Sequence, residues 1–597
     1  MSRTRPAARW AEAPLVSPEA LDAFKEGLRP FWEERKKPEP PEALLRLLLL
    51  RKVSDPIDAR RFINPQVEHL TPPEALTDLV RAAERLAAAV KAGETILVHG
   101  DYDVDGICST ALLTKVLRAL GGTVVPFIPD RKKDGYDLGP AGVAAAIHAK
   151  AGVVLTCDCG TTAVAPAASL KAAGIDLIIT DHHKLGAVVP DAYALVNPQR
   201  EADIATRADR HMAAVGVVWK LSQVLTSLLG GDPALVDEQL ELVALATVAD
   251  VAPLVGDNRI LVAEGLRRMT APAKPGTSSI RNLGLRALVR SAGLDEKRIT
   301  AGRLGYTVAP RLNALGRVRQ ALTGVELLLA ESESKAMDLA VECNRANEER
   351  QGLDRAMLDE AKARLDTMDI ENTRGIVLHG EGWEPGVIGI VASRIVELTH
   401  RPTFMIAVTH DGSARVGKGS GRSVSGFDLH AALTACGDLL VKYGGHKAAA
   451  GLTIAPENIE AFVERFDAEA RARLSDDDLI PMLRPDLELK MDQADEALLG
   501  VMRHLEPFGM GNAGPVFVSR GVRVKGGPRK VSTDGLKLEF ESTTGPREAV
   551  GWGMYGRAAE VPRDGRIDVV YRLDVNEFRG ARTLQANLLD LRASTDG

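Results

Sequence analysis

A chain of 597 residues, 45% hydrophobic and 26% charged, lies outside the low-hydrophobicity, high-charge regime of disorder, and at roughly 150 residues per domain it has room for about three to five compact units. No apolar run approaches the roughly 20 residues of a membrane span, and five cysteines, odd in number and never in a CxxC pair, argue against a disulfide framework or a zinc finger and read as reduced thiols. The formal net charge of −6 argues against phosphate binding over the whole surface but not at a local basic patch, because such binding depends on where Lys and Arg cluster.

Residues 1–50 are rich in Pro, Glu and Arg, and prolines and acids rather than an apolar stretch follow Arg3, Arg5 and Arg9. That pattern is not a secretion signal. A leader ending in a short leucine-rich helix is expected, in a cytoplasmic protein. Residues 51–326 should form a first α/β unit. From about 75 to 260 the β-type runs TILVHG, TVVPFI, GVVLTCD and DLIITD alternate with helical ones at Ile107 to Leu120 and near Val164 to Ala173, the signature of a parallel sheet. Residues 327–368 are charged and almost free of helix breakers, which predicts a long connecting helix. Over 369–465, GIVLHG, GVIGIVASRIVE and TFMIAV describe a second, smaller α/β lobe. Within 466–597, short alternating runs such as VFVSRGVRV, LKLEFES, AVGWGM and IDVVYRLDV predict a small β domain of the oligonucleotide-binding kind.

The densest chemical signal is HGDYDVDG, His99 to Gly106, between the strand TILV and a helix. It brings Asp101, Asp103 and Asp105 to the carboxyl edge of a parallel sheet, where ligands collect. Crowded acids of this kind cannot all stay ionised without cations, although a solvated acidic turn or a calcium loop would also fit the motif alone. GVVLTCDCGTT adds Asp158, DLIITDHH adds Asp181, His182 and His183, and ALATVADVAPL ends a helical run in Asp250. A lone His is usually structural. Two of them after an Asp at a strand end, with carboxylates on neighbouring strands, favour a metal site. Such a donor set suits two Mn²⁺ or Mg²⁺ ions better than structural zinc. A pair about 3.5–4 Å apart can activate water and stabilise an in-line displacement at phosphorus without a protein nucleophile. Cys157 and Cys159 read as buried packing residues beside Asp158.

DYDVDG, CDCG, DHH and ATVAD resemble the signature motifs of the DHH phosphoesterase superfamily, and GGHKAAAG, Gly444 to Gly451, resembles its DHHA1 substrate-binding domain. The resemblance runs from about 75 to 590. PRLNALGR, GWEPGVIGIVASR, SGRSVSGFDLH and EPFGMGN are similar to the RecJ-like branch, whose members are single-strand-specific exonucleases acting 5′ to 3′ in DNA repair and recombination. It implies a DHH lobe and a smaller DHHA1 lobe joined by the long helix, followed by an OB-like barrel. It also implies that Asp103, Asp105, Asp158, His182 and Asp250 are metal ligands, with Asp158 bridging, and that His183 contacts the scissile phosphate or orients water. The last ligand is either His99 or Asp101. A single-strand-binding protein and a helicase are the implied partners of a monomer with no membrane association.

For substrate, Arg311 and Asn313 in PRLNALGR, Ser420 and Arg422 in GSGRSVSG, and Gly444, Gly445 and His446 in YGGHK offer donors in settings where a phosphate can approach the backbone. Gly444 and Gly445 could instead make only a tight turn. From Ala513 to Thr533 the chain carries Arg520, Arg523, Lys525, Arg529 and Lys530 and no acid, a candidate track for the incoming strand or a solvated loop. Two other functions fit parts of the pattern: a small-substrate DHH phosphoesterase acting on nanoRNA, a cyclic dinucleotide or pyrophosphate, and a non-catalytic replication scaffold.

Overall fold

The structure is a computed structural model that describes residues 8–594 except 35, 37, 132, 201–206, 271–277, 296, 412–413, 544 and 579–580. Arg3 and Arg5, within the expected leader, lie outside the described residues, as do 595–597 at the end of the expected β domain. The chain divides into two compact units, one of residues 57–349 with 505–514, the other of residues 1–56, 350–504 and 515–597.

The first unit is built on five parallel strands in the order Thr123–Phe127, Thr95–Gly100, Ala151–Cys157, Asp176–Thr180, Ala194–Val196. Val, Ile and Leu fill the three central strands, and Leu97, Val98, Val154, Leu155, Ile178 and Ile179 are fully buried, as a sheet covered on both faces requires. Chain order reverses between Thr95–Gly100 and Ala151–Cys157, so these neighbours flank the topological switch point, the preferred ligand crevice of such sheets.

In the second unit, strands Ile376–Glu381, Thr403–Asp411, Ala414–Arg422, Ala449–Ile454 and Leu440–Gly445 form a mixed sheet on which helix Ile388–Thr399 packs. Among the described residues the carboxy-terminal region has a seven-stranded sheet, with Phe517–Arg523, Arg566–Phe578, Ala581–Ala593, Arg547–Gly551 and Gly535–Phe540 consecutive in it. Beyond Arg523 the chain bridges back from Val524 to Phe540, and the Lys525 amide donates to the Glu539 carbonyl at 2.8 Å. The sheet is thereby curled toward a barrel. The architecture is thus α/β in two lobes joined by a long helix, with an OB-like barrel at the end.

Two elements differ from expectation. The long helix runs Glu333–Thr367 and is preceded by a separate helix, Leu322–Leu328; Ser332 Oγ accepts the Lys335 amide at 3.3 Å and caps the new start. Among the described residues the leader holds two helices, Pro18–Glu34 and Glu42–Leu50, and Arg9–Trp10 pairs in parallel with Met482–Leu483. No helix among the described residues is long and apolar enough to cross a membrane.

Candidate metal centre and substrate sites

Strand Thr95–Gly100 runs into Asp101, and Asp103 caps the helix Val104–Ala119, accepting the amides of Asp105 and Gly106 at 2.9 and 3.1 Å. Asp105 therefore stands in the helix's first turn rather than at a strand end. A Cβ on Gly106 would lie 2.3 Å from the Asp101 carbonyl oxygen, so only glycine lets the helix start pack on the acidic loop. The amides of Ala214 and Val215, opening the helix Ala214–Leu228, donate to the two Asp105 oxygens at 2.8 and 2.9 Å. Helix starts have such amides to offer an anion.

On the adjacent strand, Asp158 adopts φ +63°, a left-handed backbone that a non-glycine residue holds at a cost of about 1 kcal/mol. Cys157 and Cys159 beside it are buried. After the next strand, Asp181 Oδ1 accepts the amides of His182 and His183 at 2.7 and 3.1 Å and bonds His183 Nδ1 at 2.8 Å. Asn197 Nδ2 donates to the His183 carbonyl at 2.9 Å. Asp250 is the carboxy-terminal cap of helix Leu240–Ala249.

Among the described residues these elements bring three donor groups together, each with ligand atoms within 4.8 Å of one another: Asp101, Asp103 and Asp158; Asp105, His182 and Asp250; Asp158, His182 and His183. His182 Nε2 lies 3.1 Å from Asp158 Oδ1 and 3.9 Å from Asp250 Oδ2, linking the groups. Asp101 Oδ1, Asp158 Oδ1 and His182 Nε2 are buried without hydrogen-bond partners, a costly condition unless another group satisfies them. Oxygen donors with one imidazole fit Mn²⁺ or Mg²⁺ chemically.

The electrostatics point the same way. Burial first, then neighbouring carboxylates, pushes Asp105 up to about 7 and Asp250 up to about 8, and holds Asp101 and Asp158 well above the carboxylate range. Anions this crowded call for cations. Burial and the neighbouring His183 lower His182 to about 4, leaving it neutral with a free lone pair at neutral pH. His183 is the opposite case: burial would lower it, but the bond to Asp181 and that residue's charge raise it to about 9. It stands as a cation facing the acids.

His99 is in none of the donor groups among the described residues. Its ring lies 3.5 Å from Cys159 Sγ through Nδ1 and packs on Phe127 and Gly142, and burial lowers it to about 4. Asp101 rather than His99 reaches the cluster. Sequence reasoning passed over the loop Asp130 to Leu138. Tyr136 there puts its hydroxyl 3.3 Å from His183 Nε2, and the Arg131 guanidinium covers the Tyr102 ring 4.8 Å from its centroid. A charged, glycine-containing loop with an aromatic at a sheet's carboxyl edge was the available signal.

Arg311 and Asn313 lie on helix Ala309–Val318; a Cβ on Gly316 of that helix would stand 2.4 Å from the Tyr102 carbonyl, so the helix abuts the acidic loop. Arg311 Nε donates to Asn344 Oδ1 at 2.6 Å. In the other unit, strand pairing aligns Gly444 with Gly451 and Gly451 with Ser420, and Gly445 with Ala450, while Arg422 pairs with Ala449. Ser420, Arg422 and the two glycines thus share one end of the sheet, and the exposed His446 begins the turn there, its amide donating to the Ala449 carbonyl at 2.8 Å.

The basic stretch is internally compensated. Arg520 meets Glu12 at 2.9 Å and Glu488 at 3.3 Å, Arg523 meets Glu541 at 3.5 Å, and Lys525 and Arg529 share Glu539 at 3.1 and 3.7 Å. Lys530 instead stands over the Tyr555 ring, 5.4 Å from its centroid.

Comparison with known proteins adds independent support. The DHH family N-terminal domain matches residues 95–247, the DHHA1 domain 372–472 and the RecJ OB domain 485–590. The single-stranded-DNA-specific exonuclease RecJ of Escherichia coli strain K12 is 32% identical over 569 residues, covering 92% of this chain and 95% of that protein. Its Bacillus subtilis strain 168 counterpart is 33% identical over 551 residues, covering 92% and 67%. The crystal structure of RecJ in complex with Mn²⁺ from Thermus thermophilus aligns with a TM-score of 0.79 at 30% identity, covering 98% of this chain and 79% of that one. The chain belongs to the RecJ family of single-stranded-DNA-specific exonucleases.

Proposed function

We propose that this chain is a metal-dependent exonuclease that hydrolyses single-stranded DNA from the 5′ end to mononucleotides, in DNA repair and recombination. The observation that carries the reading is the pair of donor groups, Asp101, Asp103 and Asp158 on one side and Asp105, His182 and Asp250 on the other, with Asp158 3.1 Å from His182. These residues would hold two Mn²⁺ or Mg²⁺ ions, which would supply water activation and charge stabilisation for an in-line displacement at phosphorus.

The chain's own residues do the rest. Asp158 belongs to the first group and lies 3.1 Å from His182 of the second, so it would be the ligand shared by the two ions. His182, neutral, keeps its Nε2 lone pair for coordination. His183, held protonated by Asp181, contacts a non-bridging oxygen of the scissile phosphate. Arg311 and Asn313 on one unit, and Ser420, Arg422, Gly444, Gly445 and His446 on the other, bind phosphates of the strand. The cations Arg520, Lys525 and Lys530 of the barrel are assigned to strand binding away from the cut.

The RecJ OB domain match favours a long strand over a small nucleotide substrate, and a full complement of acids disfavours a silent scaffold. The reading includes a monomer working in the cytoplasm, on strands bound by a single-strand-binding protein and opened by a helicase. The test incubates the protein and Mn²⁺ with 5′-labelled and 3′-labelled single strands and duplex. Early release of the 5′ label as mononucleotide, from single strands alone, is expected; early release of the 3′ label overturns the polarity, and no release overturns the activity.

A further inference from the structure

On the barrel, the hairpin Arg529–Val531 and Gly535–Phe540 carries an unusual surface. Trp552 is 63% exposed and Tyr555 37%, whereas the other four tryptophans are buried or half-buried. Both residues follow the strand Arg547–Gly551 and are held against this hairpin. A Cβ on Gly535 would meet Trp552 Cε3 at 3.3 Å, so the indole lies over a glycine, and the Tyr555 amide donates to the Asp534 carbonyl at 2.8 Å. Lys530, whose strand pairs Val531 with Gly535, covers the Tyr555 ring and has no acid partner among the described residues. The four other cations of the stretch have carboxylates within 2.9–3.7 Å. An exposed indole beside a tyrosine ring and a cation offers a flat face on which another ring can stack.

We propose that Trp552 and Tyr555 form a stacking platform for unpaired bases of the single strand, with Lys530 meeting an adjacent phosphate. The barrel then holds the strand chiefly through ring faces, which every base offers, and Arg520 and Lys525 add a weaker share because carboxylates already pair with them. Compensated cations release few counterions on binding, so this part of the affinity is nearly independent of salt. The ligand class is unpaired nucleobase; duplex, whose bases are stacked on each other, does not fit. The proposal rests on the reading of the chain as a single-strand nuclease, and it assigns the barrel's share of strand binding to base stacking.

The experiment measures binding of a long oligothymidylate, and of an abasic tract of equal length, in EDTA so that nothing is hydrolysed. Wild-type tryptophan fluorescence should be quenched by oligothymidylate and not by the abasic tract. Trp552→Ala should lose most of that quenching and about tenfold in affinity, the value of one stacked base, with the slope of log affinity against log salt unchanged. Trp552→Phe should recover the affinity. Lys530→Ala should instead reduce the slope by roughly 0.7, the signature of one phosphate contact. Equal affinity of Trp552→Ala and wild type for oligothymidylate, or an equal loss on the abasic tract, overturns the platform. Because EDTA separates binding from cleavage, failure of the wild type to release nucleotides with Mn²⁺ would overturn the proposed activity and leave this binding result readable on its own.

Discussion

The side-chain amide of Asn258 donates to the Pro253 carbonyl at 3.1 Å, three residues beyond Asp250. The same nitrogen donates to the His211 carbonyl at 2.5 Å, and Asn258 Oδ1 accepts the Ala213 amide at 3.3 Å. The next two amides, of Ala214 and Val215, are those that hold Asp105. One buried side chain therefore ties the turn after Asp250 to the helix start behind Asp105. Asn258→Ala is expected to raise the Mn²⁺ concentration for half-maximal hydrolysis by about 10- to 100-fold, the usual range for residues that orient ligands, with KM for the strand little changed. A Mn²⁺ titration followed by electron paramagnetic resonance checks this without activity; an unchanged binding curve would remove Asn258 from the site's support.

Asp158→Asn should lower hydrolysis on the order of 10²-fold or more, as loss of a principal electrostatic element does. The same change should raise the melting temperature of the metal-free protein. Asp158 is buried among Asp103, Asp105, Asp101 and Asp250, which disfavour its charge, so a neutral isostere relieves repulsion that only cations otherwise offset. Near-normal turnover by the folded variant would sink the shared-ligand assignment.

Metal and pH should be linked. Asp105 at about 7 and Asp250 at about 8 exceed the roughly 4 of an unfolded aspartate, and His183 at about 9 exceeds the roughly 6.5 of an unfolded histidine. Between about pH 6.5 and 9 the folded metal-free protein thus binds more protons than the unfolded chain, and its stability falls as pH rises. His182, lowered to about 4, acts in the opposite direction only below that window. Added Mn²⁺ should raise the melting temperature more at pH 8 than at pH 6.5, because protons compete less for the carboxylates. Thermal unfolding in EDTA and in Mn²⁺ across this range gives the answer; a metal-free melting temperature that does not fall with pH would contradict the shifts.

The sheet and the acids at its edge were legible because both are local. Runs such as TILVHG and GVVLTCD announce strands, and their last residues must emerge at the carboxyl edge. That Asp105 belongs to a helix was hidden, because Asp103 serves as cap as well as donor and Gly106 permits the close approach to Asp101. His99 was ambiguous for the converse reason. Its ring packs on Gly142 and Phe127, contacts with distant segments that the local motif does not show. The basic stretch from Arg520 to Lys530 showed no acid in sequence, yet Glu488, Glu539 and Glu541 arrive from other segments. Long-range pairing of this sort, like that of Arg9–Trp10 with Met482–Leu483, leaves no periodic trace.

Arg422 offers the sharpest test of the second lobe. Its Nη1 donates to Ser420 Oγ at 3.1 Å and to the Gly421 carbonyl at 2.8 Å, and a Cβ on Gly389 would lie 3.0 Å from its Nη2. Glycine at the start of the neighbouring helix thus makes room for the guanidinium. No acid among the described residues pairs with it, and burial lowers its pKa, so the cation is held desolvated without a countercharge. A phosphate satisfies such a fork bidentately. Removing a charged hydrogen bond costs about 1.5–3 kcal/mol, so Arg422→Ala should lower kcat/KM on single strands by about 10- to 150-fold. Arg422→Lys should recover only part of this, since an ammonium lacks the planar pair of donors. Arg422 is in none of the donor groups, so bound Mn²⁺ should not change. If it anchors the strand terminus, the variant should lose most on strands carrying a 5′-phosphate and less on those ending in a hydroxyl. Wild-type rates on both strands, with Mn²⁺ still bound, would move the anchor elsewhere.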